Sequence, residues 1–177
     1  MEPSEVRRLV EGALFSATGP LSAAKLADLE KGLTAADIRA AVDELNKIYA
    51  ANAHAFVIEE IAGGHRLLTC RELGPHLARF FSTRSKERLS RAALEVLAII
   101  AYKQPVTRAV VESIRGVASD SVVLNVTDLG LIRVSGQADT PGRPLLYSTT
   151  KKFLDHFGLK RLGDLPKEKD FEKMEEA

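Results

Sequence analysis

The sequence has no tryptophan and only one cysteine among its 177 residues. Cys70 alone cannot close an intramolecular disulfide, which excludes the disulfide-stabilised secreted folds and favours a reducing compartment. No stretch approaches the roughly 20 apolar residues that span a bilayer, and the first residues lack the apolar core of a signal peptide. We therefore expect a cytoplasmic protein without membrane contact.

An excess of one charge is also missing. The chain has 25 Lys and Arg against 24 Asp and Glu, a net charge of +1, which excludes polyanion binding through overall charge. Its four histidines show no metal-ligand spacing, and the sequence has neither a phosphate-binding glycine loop nor a nucleophile elbow. These absences predict no metal, no cofactor and no catalytic residues, so we expect a protein that is not an enzyme.

The apolar spacing in the first half predicts helices followed by a β-hairpin. Residues 6–17 carry the stripe of an amphipathic helix, and Gly19-Pro20 ends it. Ser22 can cap a short second helix, and Thr34 opens a third with a capping box. Residues 56–70 then read as a hairpin around a glycine turn, followed by a fourth helical stripe.

The second half repeats this plan 85 residues further along the chain. When Pro20 is placed on Pro105, capping residues and apolar positions that we expect in the core coincide: Leu9 with Leu94, Ser22 with Thr107, Leu26 with Val111, Leu29 with Ile114 and Thr34 with Ser119. We infer an internal duplication. Residues 121–127 are rich in β-branched side chains and could form a strand, but the duplication favours a helix there.

Three helices followed by a hairpin is the order of elements in a winged-helix domain. We predict an α+β, mostly α, protein of two tandem winged-helix domains, each with three helices and a β-hairpin wing. The predicted domains are residues 1–84 and 90–166, joined by a linker at 85–89 and followed by a charged flexible tail at 167–177.

The third helices lack the side chains that normally read DNA. Residues 119–130 contain no Lys or Arg, and acidic side chains outnumber basic ones in residues 34–52. Such helices would bind phosphates poorly. Basic residues of the second half, such as Lys103 and Arg133, keep a DNA-binding transcriptional regulator open as the alternative function.

The helix over residues 94–102 is apolar almost all round, more than one core face requires. It must be buried on several sides. Packing between the two domains and a partner interface both remain open as the reason.

Five motifs in the second half resemble the segregation and condensation protein B family. They are LAIIAYKQPVT at 97–107, IRGV at 114–117, SD at 119–120, GLIR at 130–133, and PGRPLLY at 141–147 followed by TT at 149–150. The resemblance implies a non-enzymatic subunit of the bacterial SMC–kleisin complex, which compacts and partitions chromosomes at the nucleoid. It also implies a homodimer that binds the kleisin ScpA and, through it, the SMC ATPase, with indirect or weak DNA contact.

On this resemblance we expect five residues on the kleisin-facing surface: Tyr102, Arg115, Asp120, Arg143 and Tyr147. Each has a structural alternative: the two tyrosines as core, Arg115 and Asp120 as a mutual pair that braces a turn, and residues 141–144 as the shape of the wing. For dimerisation through the N-terminal domain we expect Val6, Arg7 and Val10 of the first helix with Phe80 and Phe81 of the fourth.

Overall fold

The computed structural model describes residues 2–81 and 89–167, and the chain divides into two compact units, residues 1–85 and 86–177. Both units are mostly helical with a small sheet, which confirms the predicted mixed class. The predicted linker, apart from Leu89, and the predicted tail beyond Lys167 lie outside the described residues. Within the described ranges, none of the helices combines the length and the apolar character that crossing a bilayer requires.

The first unit packs helices against one face of a hairpin. Its elements are α1 (Pro3–Ser16), α2 (Ala23–Ala27), α3 (Ala35–Ala51), β1 (Phe56–Ile61), β2 (Gly64–Thr69) and α4 (Gly74–Phe80). The core lies between α1, α2 and α3, where Val10 and Ile38 are fully buried. Tyr49 closes its edge by donating a hydrogen bond to Glu11 Oε1 at 2.8 Å, and burial, then this bond, raise the pKa of Tyr49.

The predicted capping box at the start of α3 is confirmed. Thr34 Oγ1 accepts a hydrogen bond from the Asp37 N–H at 3.3 Å, and Asp37 Oδ2 accepts one from the Thr34 N–H at 2.8 Å. Hydrogen bonds from Thr34 lower the pKa of Asp37. The reciprocal bonds satisfy two donors that the first turn of a helix leaves open.

Both edges of the first hairpin have hydrogen-bond partners outside the sheet, one in the α1–α2 connection and one in α3. Leu21 forms a short bridge to His65 of β2, and burial lowers the pKa of His65. Residue 64 must be glycine, because a Cβ there would lie 2.8 Å from the Leu21 carbonyl carbon. At the other edge, the Asn46 side chain of α3 pairs with β1: its amide donates to the Ile58 C=O and accepts from the Ile58 N–H, both at 2.9 Å.

The second unit has the same order of helices and hairpin strands with one added element, the short strand β3 (Val106–Thr107). Its elements are α5 (Arg91–Lys103), β3 (Val106–Thr107), α6 (Arg108–Arg115), α7 (Asp120–Asp128), β4 (Ile132–Gln137), β5 (Leu145–Thr149) and α8 (Lys151–Phe157). The antiparallel sheet has the order β3-β5-β4, and α7 confirms the helix at residues 121–127. Gln104 ties the end of α5 to β5, since its Oε1 accepts from the Thr149 N–H at 2.7 Å.

The helix starts agree with the inferred duplication. Helices α2 and α6 begin 85 residues apart, and so do α3 and α7. Leu26 of the first unit and its counterpart Val111 of the second unit are both buried, as expected. Two other superposed pairs were wrongly assigned to the core. The exposed pairs are Leu9 with Leu94 and Leu29 with Ile114. An apolar residue at helical spacing can lie at the border of the buried face, which spacing alone does not distinguish from the core.

We predict that Asn46→Ala lowers the free energy of unfolding of the first unit by about 1–3 kcal/mol, because the buried Ile58 N–H and C=O lose their partners. Asn52→Ala is the matched control, since exposed Asn52 donates one bond to the Ile48 C=O on the same helix. Urea unfolding followed by circular dichroism, with amide exchange at Ile58, measures both. Equal effects of the two substitutions would contradict the role of Asn46.

Candidate partner-binding surfaces

Arg115 and Asp120 do not pair with each other, so the expected brace has other partners. The Arg115 side chain is only 8% exposed, and it donates to Ser119 Oγ at 2.6 Å and to Glu95 Oε2 at 3.2 Å. Asp120 instead forms an ion pair with Arg108 at the exposed surface. Arg115 therefore holds α5, α6 and the start of α7 together, and Asp120 is the partner-accessible member of the two.

Ser119 precedes α7 as expected, but its side chain does not cap the helix. Its hydroxyl donates to the Val117 C=O at 3.1 Å and accepts from Arg115, while its N–H donates to Glu112 Oε1 at 2.9 Å. Ser119 is fully buried. Ser119 is therefore held by the charged side chains of Arg115 and Glu112. Rules for helix capping, which consider only the helix that follows, do not predict this role.

The two tyrosines occupy different environments. Tyr102 ends the exposed side of α5, and its hydroxyl donates to the Pro166 C=O at 2.6 Å, so it is not a core residue. Tyr147 is half-buried on β5, pairs with Val106 and Val134 in the sheet, and packs against the core. The core alternative therefore describes Tyr147 better than Tyr102.

Arg143 lies in the exposed turn between β4 and β5. Its φ is +41°, and its N–H donates to the Thr140 C=O at 2.9 Å. Within residues 89–167, no hydrogen bond or ion pair joins any two of the five residues expected at the kleisin surface. The structure thus distributes them over α5, the end of α6, the start of α7, β5 and the turn between β4 and β5.

Helices α5 and α6 carry apolar side chains at the surface of the second unit. Leu94, Ala98 and Tyr102 form an exposed stripe along α5 at a spacing of four residues, on the helix that we expected a second domain or a partner to cover. On α6, Val110 and Ile114 are exposed while Val111 is fully buried. Apolar side chains exposed at regular spacing on a helix are a common feature of interaction surfaces.

The residues expected at a dimer interface divide into buried and exposed groups. Val6 and Val10 lie in the core of the first unit, and Arg7 forms an ion pair with Glu44. Phe80 and Phe81 are 77% and 52% exposed, with their rings edge to face at 5.0 Å. Of these five described residues, only the two phenylalanines therefore present large apolar surface that a second copy could cover.

Metal-ligating side chains and the free cysteine are two further kinds of candidate site. Among residues 2–81 and 89–167, no group of three or more His, Cys, Asp or Glu side chains could hold a metal ion. Cys70 follows β2 and its thiol donates to the His54 C=O at 3.5 Å. The surfaces described above are suited to contacts with another protein.

Comparison with known proteins confirms the resemblance seen in the motifs. Residues 8–168 match the family model described as segregation and condensation complex subunit ScpB. The chain is 44% identical over 171 residues to the segregation and condensation protein B of Syntrophotalea carbinolica, covering 97% of this chain and 86% of that protein. The corresponding protein of Halalkalibacterium halodurans is 42% identical over 167 residues, covering 94% and 84%. The solved structure of ScpB from Mycobacterium tuberculosis is 28% identical, covers 90% of this chain and 98% of its own, and has a TM-score of 0.44.

We predict that Arg115→Met lowers the free energy of unfolding by about 1.5–3 kcal/mol, because the buried Ser119 hydroxyl and the exposed Glu95 carboxylate lose a charged donor. Arg108→Met is the control, and it costs about 0–1 kcal/mol because the Arg108–Asp120 pair is exposed. Urea unfolding followed by circular dichroism compares the two variants. Arg115→Lys restores only part of the loss, since one ammonium lacks the guanidinium fork; full rescue by lysine would contradict the bridging role.

Proposed function

Because the chain belongs to the family of segregation and condensation complex subunit ScpB, we propose that it is a non-enzymatic accessory subunit of a bacterial SMC–kleisin complex. It acts in chromosome condensation and partition during cell division, in the cytoplasm and at the nucleoid. It works as a homodimer that binds the kleisin ScpA and, through ScpA, the SMC ATPase. The match over residues 8–168 carries this proposal.

Each unit is proposed to be a winged-helix domain, with residues 1–84 serving dimerisation and residues 90–166 serving kleisin binding. Three helices followed by a β-hairpin in both units support this architecture. The helix starts that coincide at a spacing of 85 residues support a common origin of the units.

DNA contact is proposed to be indirect or weak. Helix α7 occupies the place of the groove-reading helix in a winged-helix domain, yet it contains no Lys or Arg and begins and ends with aspartate. Carboxylates near phosphates oppose binding, and base recognition depends on long donor side chains that α7 does not supply. These features disfavour the alternative of a DNA-binding transcriptional regulator.

Kleisin binding is proposed to use apolar anchors framed by polar groups. The exposed stripe of α5 supplies the anchors, and Asp120 and Arg143 are exposed polar groups on the same unit. Apolar side chains that become fully desolvated usually dominate binding energy, whereas charges at the rim contribute little. Arg115 contributes by positioning α7, because its own side chain is occupied.

The first test is size-exclusion chromatography with light scattering of the full chain, alone and mixed with the kleisin ScpA from the same genome. We expect a dimer that shifts to a heavier stable complex. Leu94→Ser should weaken that complex more than Arg143→Gln does. A monomer that ignores ScpA but binds duplex DNA, with an affinity that falls steeply with salt, would support the regulator instead.

A second test addresses the dimer. We expect the double variant Phe80→Ser, Phe81→Ser to run as a monomer, because it removes the exposed aromatic pair of the first unit. Phe15→Ser is the control, since Phe15 is 80% exposed on α1 and belongs to the same unit. A double variant that remains dimeric, or a Phe15 variant that becomes monomeric, would place the interface elsewhere.

A further inference from the structure

A groove in the second unit lies between the start of α5, one face of α7 and α8. Its volume is about 500 Å³, within the range of roughly 300–1,000 Å³ that ligand-binding clefts occupy. Leu89, Val122 and Leu129 form an apolar floor, since these partly buried side chains pack against the core of the unit. Asn125, Lys152 and His156 form the polar rim.

Two polar side chains of this rim are unused by the fold. Within residues 2–81 and 89–167, no hydrogen bond or ion pair engages the side chain of Asn125 or of Lys152. The lining residues include no Asp or Glu. The Lys152 chain extends along the turn that follows α7, where a Cβ at Gly130 would lie 3.6 Å from Lys152 Cδ. The groove therefore combines an apolar floor with cationic and amide donors that have no internal acceptor.

The first unit contains a groove at the equivalent place, which provides an internal comparison. Its volume is about 550 Å³, and it is lined by the start of α1 and a face of α3. Asp37, Ala40 and Glu44 line it, and they lie 85 positions before Val122, Asn125 and Leu129. The two floor residues Val122 and Leu129 thus correspond to carboxylates in the first unit.

The carboxylates of the first groove are already in use. Asp37 accepts hydrogen bonds from Thr34, and Glu44 forms the ion pair with Arg7. Two grooves of similar size at one place in the repeat therefore differ in chemistry. The first has two carboxylates that are paired within the unit and one lysine, Lys31, whereas the second is apolar at its floor and has free donors at its rim.

We propose that the groove of the second unit binds a segment of the partner protein in which an apolar side chain stands beside a carboxylate. The apolar side chain covers Val122 and Leu129, and the carboxylate accepts hydrogen bonds from Lys152 Nζ and the Asn125 amide. Charge complementarity favours an acidic segment, because the lining of the groove includes the ammonium of Lys152 and no Asp or Glu. This inference rests on the proposed function, in which that partner is the kleisin subunit.

The test measures the dissociation constant of the full-length chain for the purified kleisin ScpA by isothermal titration calorimetry. Lys152→Glu reverses the rim charge, and we expect it to weaken binding about tenfold or more. Lys151→Glu is the matched control, because Lys151 is the exposed neighbour on α8, makes the same change in net charge and does not line the groove. We expect that control to bind within about twofold of wild type, since exposed charges outside a contact contribute little.

A second variant keeps the test decisive if Lys152→Glu perturbs α8. Asn125→Glu places a carboxylate on the part of the rim that α7 forms, where the side chain is exposed, and it should weaken binding to a similar extent. Circular dichroism of each variant verifies that the fold is kept. Overlapping peptides covering ScpA then identify the bound segment, which should contain Asp or Glu beside an apolar residue.

The outcomes separate this inference from the proposed function. If wild type binds ScpA and both groove variants bind equally well, the groove proposal is wrong and the proposed function stands. Equal weakening by Lys151→Glu and Lys152→Glu would show that overall charge alone explains the effect, and the groove proposal would be wrong. Bound peptides that lack a carboxylate would also overturn the groove proposal. Wild type that does not bind ScpA would overturn both.

Discussion

The buried guanidinium of Arg115 is the interaction on which the second unit depends most. It joins Glu95 of α5 to Ser119 at the start of α7, and so fixes the relation of three helices with one side chain. The position of α7 in turn sets one wall of the groove and the exposed Asp120. Arg115 therefore has a structural role: it positions the helices that carry the exposed candidate contact residues.

Both units use side-chain amides where backbone pairing ends. Asn46 satisfies the outer edge of β1 in the first unit, and Gln104 performs a related task for β5 in the second. A sheet of two or three strands leaves a large share of its backbone groups at an edge, where they need other partners. Helices that supply these partners hold a small sheet in a fixed register, which lets a short chain form a defined core.

The sequence predicted the local features well, because caps and periodicity act over a few residues. The capping box at Thr34, the two hairpins and the helix at residues 121–127 are examples. Features that depend on distant contacts could not be predicted. Strand β3 has two residues, too few to show a pattern, and it forms only by pairing with β5. Arg115 bonds Glu95, 20 residues away, and does not pair with Asp120. Exposure was also misjudged, since Leu94 and Ile114 have core-like spacing but face solvent. The structure shows that these apolar residues are exposed, and only this exposure makes them candidates for partner contacts.

The two hairpins differ in how they close, and the difference bears on labelling. The first closes through Ala62 and Gly63, both with positive φ, and leaves no room for extra residues. In the second, residues 138–144 connect β4 and β5 outside the paired register, held by hydrogen bonds from Ala138 to Pro144 and from Arg143 to Thr140. Exposed connections of this kind tolerate insertions. An epitope or fluorophore placed there would leave both cores intact, and because this connection carries Arg143 it would also report on contacts that the partner makes with it.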